Sequence, residues 1–352
     1  MAGWYGPAIH IGDVPGNLYI TADGDFRGDF ERGAFASALD ALRDHLVQFW
    51  KRVERERAFS DAMLGVGFPS ISDALARASS GDGQFLNAGP IAKTGPTGVA
   101  NVASSLWRVG AAPQAGVTPS AAPGGNAPTS ATVGAMPFNN PATGTLHLVG
   151  ADFSASLVNH CALLYDRIFH VAKTINSTAT EAVTGVPTRY QSLTATAADY
   201  IGGNFLFVEV GGVPLAATAH NWTVCTYLDQ ANAASTLPSL IGNSGAIVDR
   251  LDHPTSSWFA PLEAGDVGIK ALTQMQCSAL VATGAVNFVI GHPIDFMLMP
   301  IAGPMIPFDF LTNANQAPRI FDNACLALME MPKPSGSSCT YSGMISATRA
   351  AP

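Results

Sequence analysis

Charge is what this sequence has least of. Only 12% of its 352 residues are Asp, Glu, Lys or Arg, against 47% hydrophobic, where about a quarter charged is usual in a soluble domain. The surface must therefore be built from Ser, Thr, Asn, Gln and backbone groups. Disorder is excluded, because it needs low hydrophobicity and high net charge. Nucleic acid is not an expected partner: 18 Lys+Arg face 26 Asp+Glu, a formal net charge of −8, so no basic face is available for phosphates. Long apolar runs are missing too. The longest stretches without charge, 109–151 and 271–294, are interrupted by Gly, Pro, Ser, Thr and Gln, whereas a spanning helix needs about 20 predominantly apolar residues. No membrane partner is expected, and residues 1–16 lack the basic and apolar regions of a secretion signal. The five cysteines (Cys161, Cys225, Cys277, Cys325, Cys339) are scattered, with no C-x-x-C spacing. They read as reduced small hydrophobes of a protein made in a cytoplasm, with no metal site and no cofactor.

What is present falls into three regions. Residues 1–110 carry 22 charged residues and 111–352 carry another 22, so charge density halves near residue 110. In the first region, 1–108, Phe35, Leu39, Leu42, Leu46, Phe49 and Val53 step by 4, 3, 4, 3 and 4. That spacing predicts a helix over about 33–57 with an apolar seam. The seam either packs on the protein's own body or is shared between copies in an oligomer. Ser70 or Ser72 caps a second short helix over 70–78. Residues 109–144 hold six prolines among Gly, Ala, Ser and Thr, an arm or linker unable to bury enough apolar area to fold alone. Residues 145–352 read as β, with strands expected at 145–149, 161–171, 204–210, 221–228, 272–281, 285–290 and 325–331. Trp222, Val224 and Thr226 alternate with Thr223, Cys225 and Tyr227, and Val286, Phe288 and Ile290 alternate around Asn287. Short strands between Gly/Pro turns, without intervening helices, predict a mainly β fold: an antiparallel β-sandwich or jelly-roll-like body behind an N-terminal α-helical region.

Each chemical motif fails a specific test. The acidic loop at Asp23, Asp25 and Asp29 puts Arg27 at a ligand position and Ala34 where a calcium loop needs Glu. Ser244, in Gly242-Asn243-Ser244-Gly245, is followed by Ala246 where a nucleophile elbow needs Gly. Asp249, Asp252 and His253 precede Pro254 and read as a turn rather than an acid/base pair. Asp166 and His170 lie four residues apart in an expected strand, about 13 Å, too far to share a proton. Trp258 with Glu263 and Asp266 is the one cluster that combines an aromatic with paired carboxylates, the pattern of a glycan site. No catalytic residue is assigned.

The distinctive segments are Ser105-Leu106-Trp107-Arg108, then Leu163 to His170 (LLYDRIFH), 222–230 (WTVCTYLDQ), 261–267 (PLEAGDV) and 319–331 (RIFDNACLALMEM). In this order the set resembles structural proteins of tailed-bacteriophage virions, most of all capsid (head) decoration proteins, over about 105–345. The resemblance implies a non-enzymatic subunit on the capsid surface after synthesis in the bacterial host cytoplasm. Its implied partners are further copies of itself, with a trimer favoured, and the phage major capsid protein. The alternatives are the major capsid protein itself, a tail or collar component and, from another class, a glycan-binding host-attachment module.

Overall fold

Alternating β-branched and aromatic runs between Gly/Pro turns form antiparallel sheets here. In the computed structural model the described residues are 19–20, 26–27 and 85–350, without 139, 141–144, 191–202, 254–256 and 311–317. The chain divides into two compact units, Met1–Gly65 and Val66–Pro352. In the first, β1 (Tyr19–Ile20) pairs antiparallel with β2 (Phe26–Arg27). The expected helices over 33–57 and 70–78, with the seam from Phe35 to Val53, lie outside the described residues, as do Asp23, Asp25 and Asp29.

The described part of the second unit is mainly β and contains no helix. Its strands are β3 (Phe85–Thr94), β4 (Ser104–Ser105), β5 (Thr145–Ala155), β6 (His160–Thr174), β7 (Glu181–Ala182), β8 (Phe205–Val210), β9 (Asn221–Asp229), β10 (Ala234–Thr236), β11 (Leu240–Ile241), β12 (Ile269–Cys277), β13 (Ala285–Met299), β14 (Ile306–Asp309), β15 (Arg319–Ile320), β16 (Leu326–Pro332) and β17 (Thr340–Ala350). They form three antiparallel sheets. The central sheet runs β4-β16-β6-β13-β8; a second runs β10-β9-β12-β7 with β11 on β9; a third runs β14-β5-β17-β3 with β15 on β5.

The central sheet is covered on both faces, which is why β6 is buried along nearly its whole length. Ala162 and Leu164 pack with Leu148, Phe153 and Tyr341 of the third sheet. Phe169 and Val171 pack with Tyr227, Leu272 and Met275 of the second. Leu163 and Tyr165 point the other way, into a cluster with Trp107, Phe207 and Met329. A bulge at Ile168, where Ile290 pairs with Phe169 but Gly291 with Arg167, inserts one residue into β6. It thereby keeps Ala162, Leu164 and Phe169 on one face despite the change from even to odd numbers.

Other strands also depart from simple alternation. In β9, Cys277 pairs with Trp222 and Gln276 with Val224, so Thr223 is the extra residue; Trp222, Cys225 and Tyr227 therefore all face inward. The expected strand over 272–281 ends at Cys277, and β13 runs straight through Gly291-His292-Pro293, which reads as a turn in sequence. All five cysteines are buried and unpaired.

The proline-rich segment is ordered along the body of its own chain. β16 covers the edge of β6 only from His160 to Asp166. Beyond it the arm takes over: Asn126 N donates to His170 O (2.8 Å), His170 N to Asn126 O (2.9 Å), Ala122 N to Ala172 O (3.1 Å) and Ala172 N to Ser120 O (2.9 Å). An edge that would invite pairing with another chain is thus closed from within. Gly125 makes the approach possible with φ +66°; a Cβ there would stand 2.6 Å from Phe169 Cζ and 2.7 Å from His170 O. Replacing Gly125 with Ala should cost about 2 kcal/mol or more, read as a lower urea midpoint at unchanged slope.

Candidate functional site

Burial of β6 leaves the charges of Asp166 and Arg167 inside the protein, one on each face of the central sheet. Arg189 holds Asp166 in a fork, Nε donating to Oδ2 (2.9 Å) and Nη2 to Oδ1 (2.6 Å), while its Nη1 donates to Pro128 O of the arm (2.8 Å). Cys325 N (2.7 Å) and the Tyr190 hydroxyl (3.3 Å) also donate to Asp166. Tyr190 stacks on His292 at 4.4 Å between ring centroids, and His292 Nδ1 lies 2.8 Å from Asn204 Oδ1.

On the opposite face Arg167 forks Glu209, Nη2 to Oε1 (2.6 Å) and Nη1 to Oε2 (3.1 Å), with Asn287 Nδ2 also donating to Oε1 (3.0 Å). Its Nε donates to His170 Nδ1 (2.9 Å), and its guanidinium lies 5.0 Å from the centroid of the Trp107 ring. Burial opposes both charges, but each is overridden by the other: the Arg167 pKa is raised and that of Glu209 lowered. Burial and the adjacent Arg167 charge push His170 down to about 2, so it is neutral and serves as an acceptor. Asp166 and His170 share no bond; each is committed to a different arginine.

A third buried group forms around Asp252. Its Oδ2 accepts from Trp222 Nε1 (2.9 Å) and stands 3.0 Å from His220 Nε2, and its Oδ1 accepts from Asn243 N (2.6 Å). His220 Nδ1 faces Thr218 O at 2.9 Å. With an acceptor at both nitrogens, the Asp252 hydrogen bond first, the imidazole pKa is raised. No nitrogen is left to act as a base toward Ser244, which sits exposed in its turn. Asp252 and His253 are adjacent in sequence, but the histidine that Asp252 holds is His220, 32 residues away.

The chain was compared with protein-family models, with curated proteins and with solved structures, and nothing matches. Function is therefore read from geometry. Among the described residues no three His, Cys, Asp or Glu side chains gather as a metal site. Asp249 is half-buried, where desolvation and the Glu209 charge push it up to about 7, and its main-chain oxygen accepts from Ser105 N (2.7 Å). Glu330 is also buried and pushed up to about 7, against the Tyr341 hydroxyl and the Arg250 charge.

Trp258, Glu263 and Asp266 do come together. They share an open groove of about 490 Å³ with Phe205, Phe259 and Leu262. Phe205 enters from β8, and the Tyr227 hydroxyl, from β9, joins the two acids by accepting from Glu263 N (3.0 Å) and donating to Asp266 Oδ2 (2.5 Å). Sequence could not supply these two partners, since they come from other strands.

Two measurements follow from the buried charges. Glu209→Leu alone strands Arg167 and should cost about 3–5 kcal/mol, while Arg167→Met with Glu209→Leu should restore most of that loss; a double-mutant cycle by denaturant unfolding checks it. Glu330 binds its proton more tightly folded than unfolded, so its contribution is complete below the unfolded pKa of about 4.5 and is lost as pH rises through about 7. Glu330→Gln should therefore gain about 3 kcal/mol relative to the parent between pH 4.5 and pH 8, read from urea unfolding at both pH values.

Proposed function

We propose that this chain is a non-enzymatic structural subunit of a tailed-bacteriophage virion, decorating and stabilising the capsid exterior as a homotrimer. The body is read as a jelly-roll-like sandwich whose sheets close over the central one, and its partners as copies of itself and the phage major capsid protein. The supporting observation is an exposed apolar patch at the end of β13 and in the turn after it. Phe296 is 58% exposed, Leu298 47%, Ile301 58% and Met305 51%. Four large apolar side chains within ten residues, on a surface poor in charge, favour burial against another subunit. The low charge of the surroundings keeps the desolvation cost of such burial small. The Asp166 and Arg167 charges of the central sheet are matched internally by Arg189 and Glu209, so neither needs a partner from another subunit. Decoration would then stabilise the shell by mass action, because the added area is buried only in the assembled state.

Light scattering with negative-stain images of the same fraction tests the reading. The expected species has three times the 36.5 kDa chain mass and binds undecorated heads. Phe296→Asp with Leu298→Asp should release folded monomers, and Leu42→Asp with Leu46→Asp examines the N-terminal seam in the same way. Closed shells would instead make the chain the lattice protein, and a folded monomer that ignores heads would overturn the proposal.

A further inference from the structure

The groove at residues 257–266 unites half-buried aromatic rings with two carboxylates that keep open acceptor positions. We propose that it binds a neutral saccharide chain, with a pyranose ring seated on the aromatic floor and its hydroxyls donating to Glu263 and Asp266.

The floor is preformed. Trp258 and Phe259 pack their inner sides on the cluster around Trp107 and Tyr165. Phe259 lies against Phe205 and Phe207, with ring centroids at 5.4 Å and 6.0 Å. Ala260 N donates to Leu206 O (2.7 Å), which ties this strip of chain to β8. The rings are held from behind and cannot fold inward, so their outer surfaces remain for a ligand. Such a floor suits a flat partner with an apolar face, and a pyranose presents its C–H groups in that way.

The wall supplies hydrogen bonding of one kind. Glu263 and Asp266 stand at the two ends of a turn closed by Asp266 N donating to Glu263 O (3.1 Å), with Gly265 at φ +98°. Tyr227 holds Asp266 through Oδ2, and Thr236 N holds Glu263 through Oε2 (3.2 Å). Oε1 of Glu263 and Oδ1 of Asp266 remain as acceptors. An ionised carboxylate accepts only, so the ligand must bring donors, as sugar hydroxyls do, and acidic sugars are repelled. A basic peptide is the competing occupant. Ion pairs on an exposed turn contribute little, so affinity must come from the floor, where a sugar uses rings and acceptors at once.

The test is calorimetric titration of the full chain with maltohexaose, cellohexaose and chitohexaose, and separately with hexalysine. One or more of the neutral hexasaccharides should bind with a Kd of about 1 mM or tighter, with little dependence on salt. Trp258→Ala should weaken that binding at least about tenfold, and Glu263→Gln about threefold or more. Glu263 is exposed on its turn, so its variant keeps the test open if Trp258→Ala fails to fold. Absence of binding by all three sugars, binding unchanged in both variants, or salt-sensitive hexalysine binding in their place would overturn the proposal. Trimer formation and head binding are measured separately, so failure here leaves the decoration reading standing.

Discussion

Asp166 and Arg167 are neighbours on a strand that is buried on both faces, so two opposite charges leave the backbone in opposite directions and cannot neutralise each other. Each needs its own counter-charge inside the protein, because an unpaired buried ion costs several kcal/mol. Asp166 draws in Arg189, 23 residues on, and the backbone of Cys325, 159 residues on. Arg167 draws in Glu209, 42 residues on, from β8. The arm is tied to the same point, since Pro128 O takes a third hydrogen bond from Arg189. Arm, loop and three strands of the central sheet are thus fastened at one pair of residues beside one bulge. The forked geometry is what lets these pairs hold register and not merely cancel charge.

The arm solves a second problem of the same strand. At fifteen residues, β6 outruns its neighbour β16, which pairs with only its first seven. A proline-rich strap can cover the remainder because only alternate backbone groups have to meet the edge, and the prolines fall between those contacts. Lys93 secures the start of the arm: buried in β3, it donates to Val109 O (2.6 Å), and burial lowers its pKa to about 8. Four exposed large apolar side chains fall within ten residues at the far end of β13 and the turn after it, and half-buried rings line the groove at Trp258. Those are the two places where contact with another molecule is proposed.

The buried ionisable groups divide by whether they have a partner. Where a fork closes, as at Glu209, the charged form is retained inside the protein. Where none closes, as at Glu330, whose oxygens make no hydrogen bond of good geometry, burial wins and the neutral form is favoured. Stability near neutral pH is therefore sensitive around β3, β4 and β16, close to where the arm begins, and much less so at the forks.

Local pattern was legible in the sequence, and long-range convergence was not. Alternation marked β9 and the start of β13, and short runs of apolar and β-branched residues between Gly/Pro turns located the cores of β5, β6, β8 and β16, which are buried along most of their length. Both signals missed the bulges at Ile168 and Thr223, whose extra residue is defined by the partner strand. Both also missed the passage of β13 through Pro293, which is tolerated because pairing with β8 stops at Gly291. Trp258, Glu263 and Asp266 could be grouped because they lie within nine residues, but Phe205 and Tyr227 could not. The pairing of Asp252 with His220 rather than with adjacent His253 was equally invisible, since a sequence neighbour need not share a side-chain direction. By itself, then, the sequence determined a weakly charged, β-rich body and a proline-rich arm, properties of composition and short spacing. Only the tertiary structure decided which buried charge meets which and that Phe205 and Tyr227 complete the groove, because those partners are brought together by strand pairing across tens to hundreds of residues.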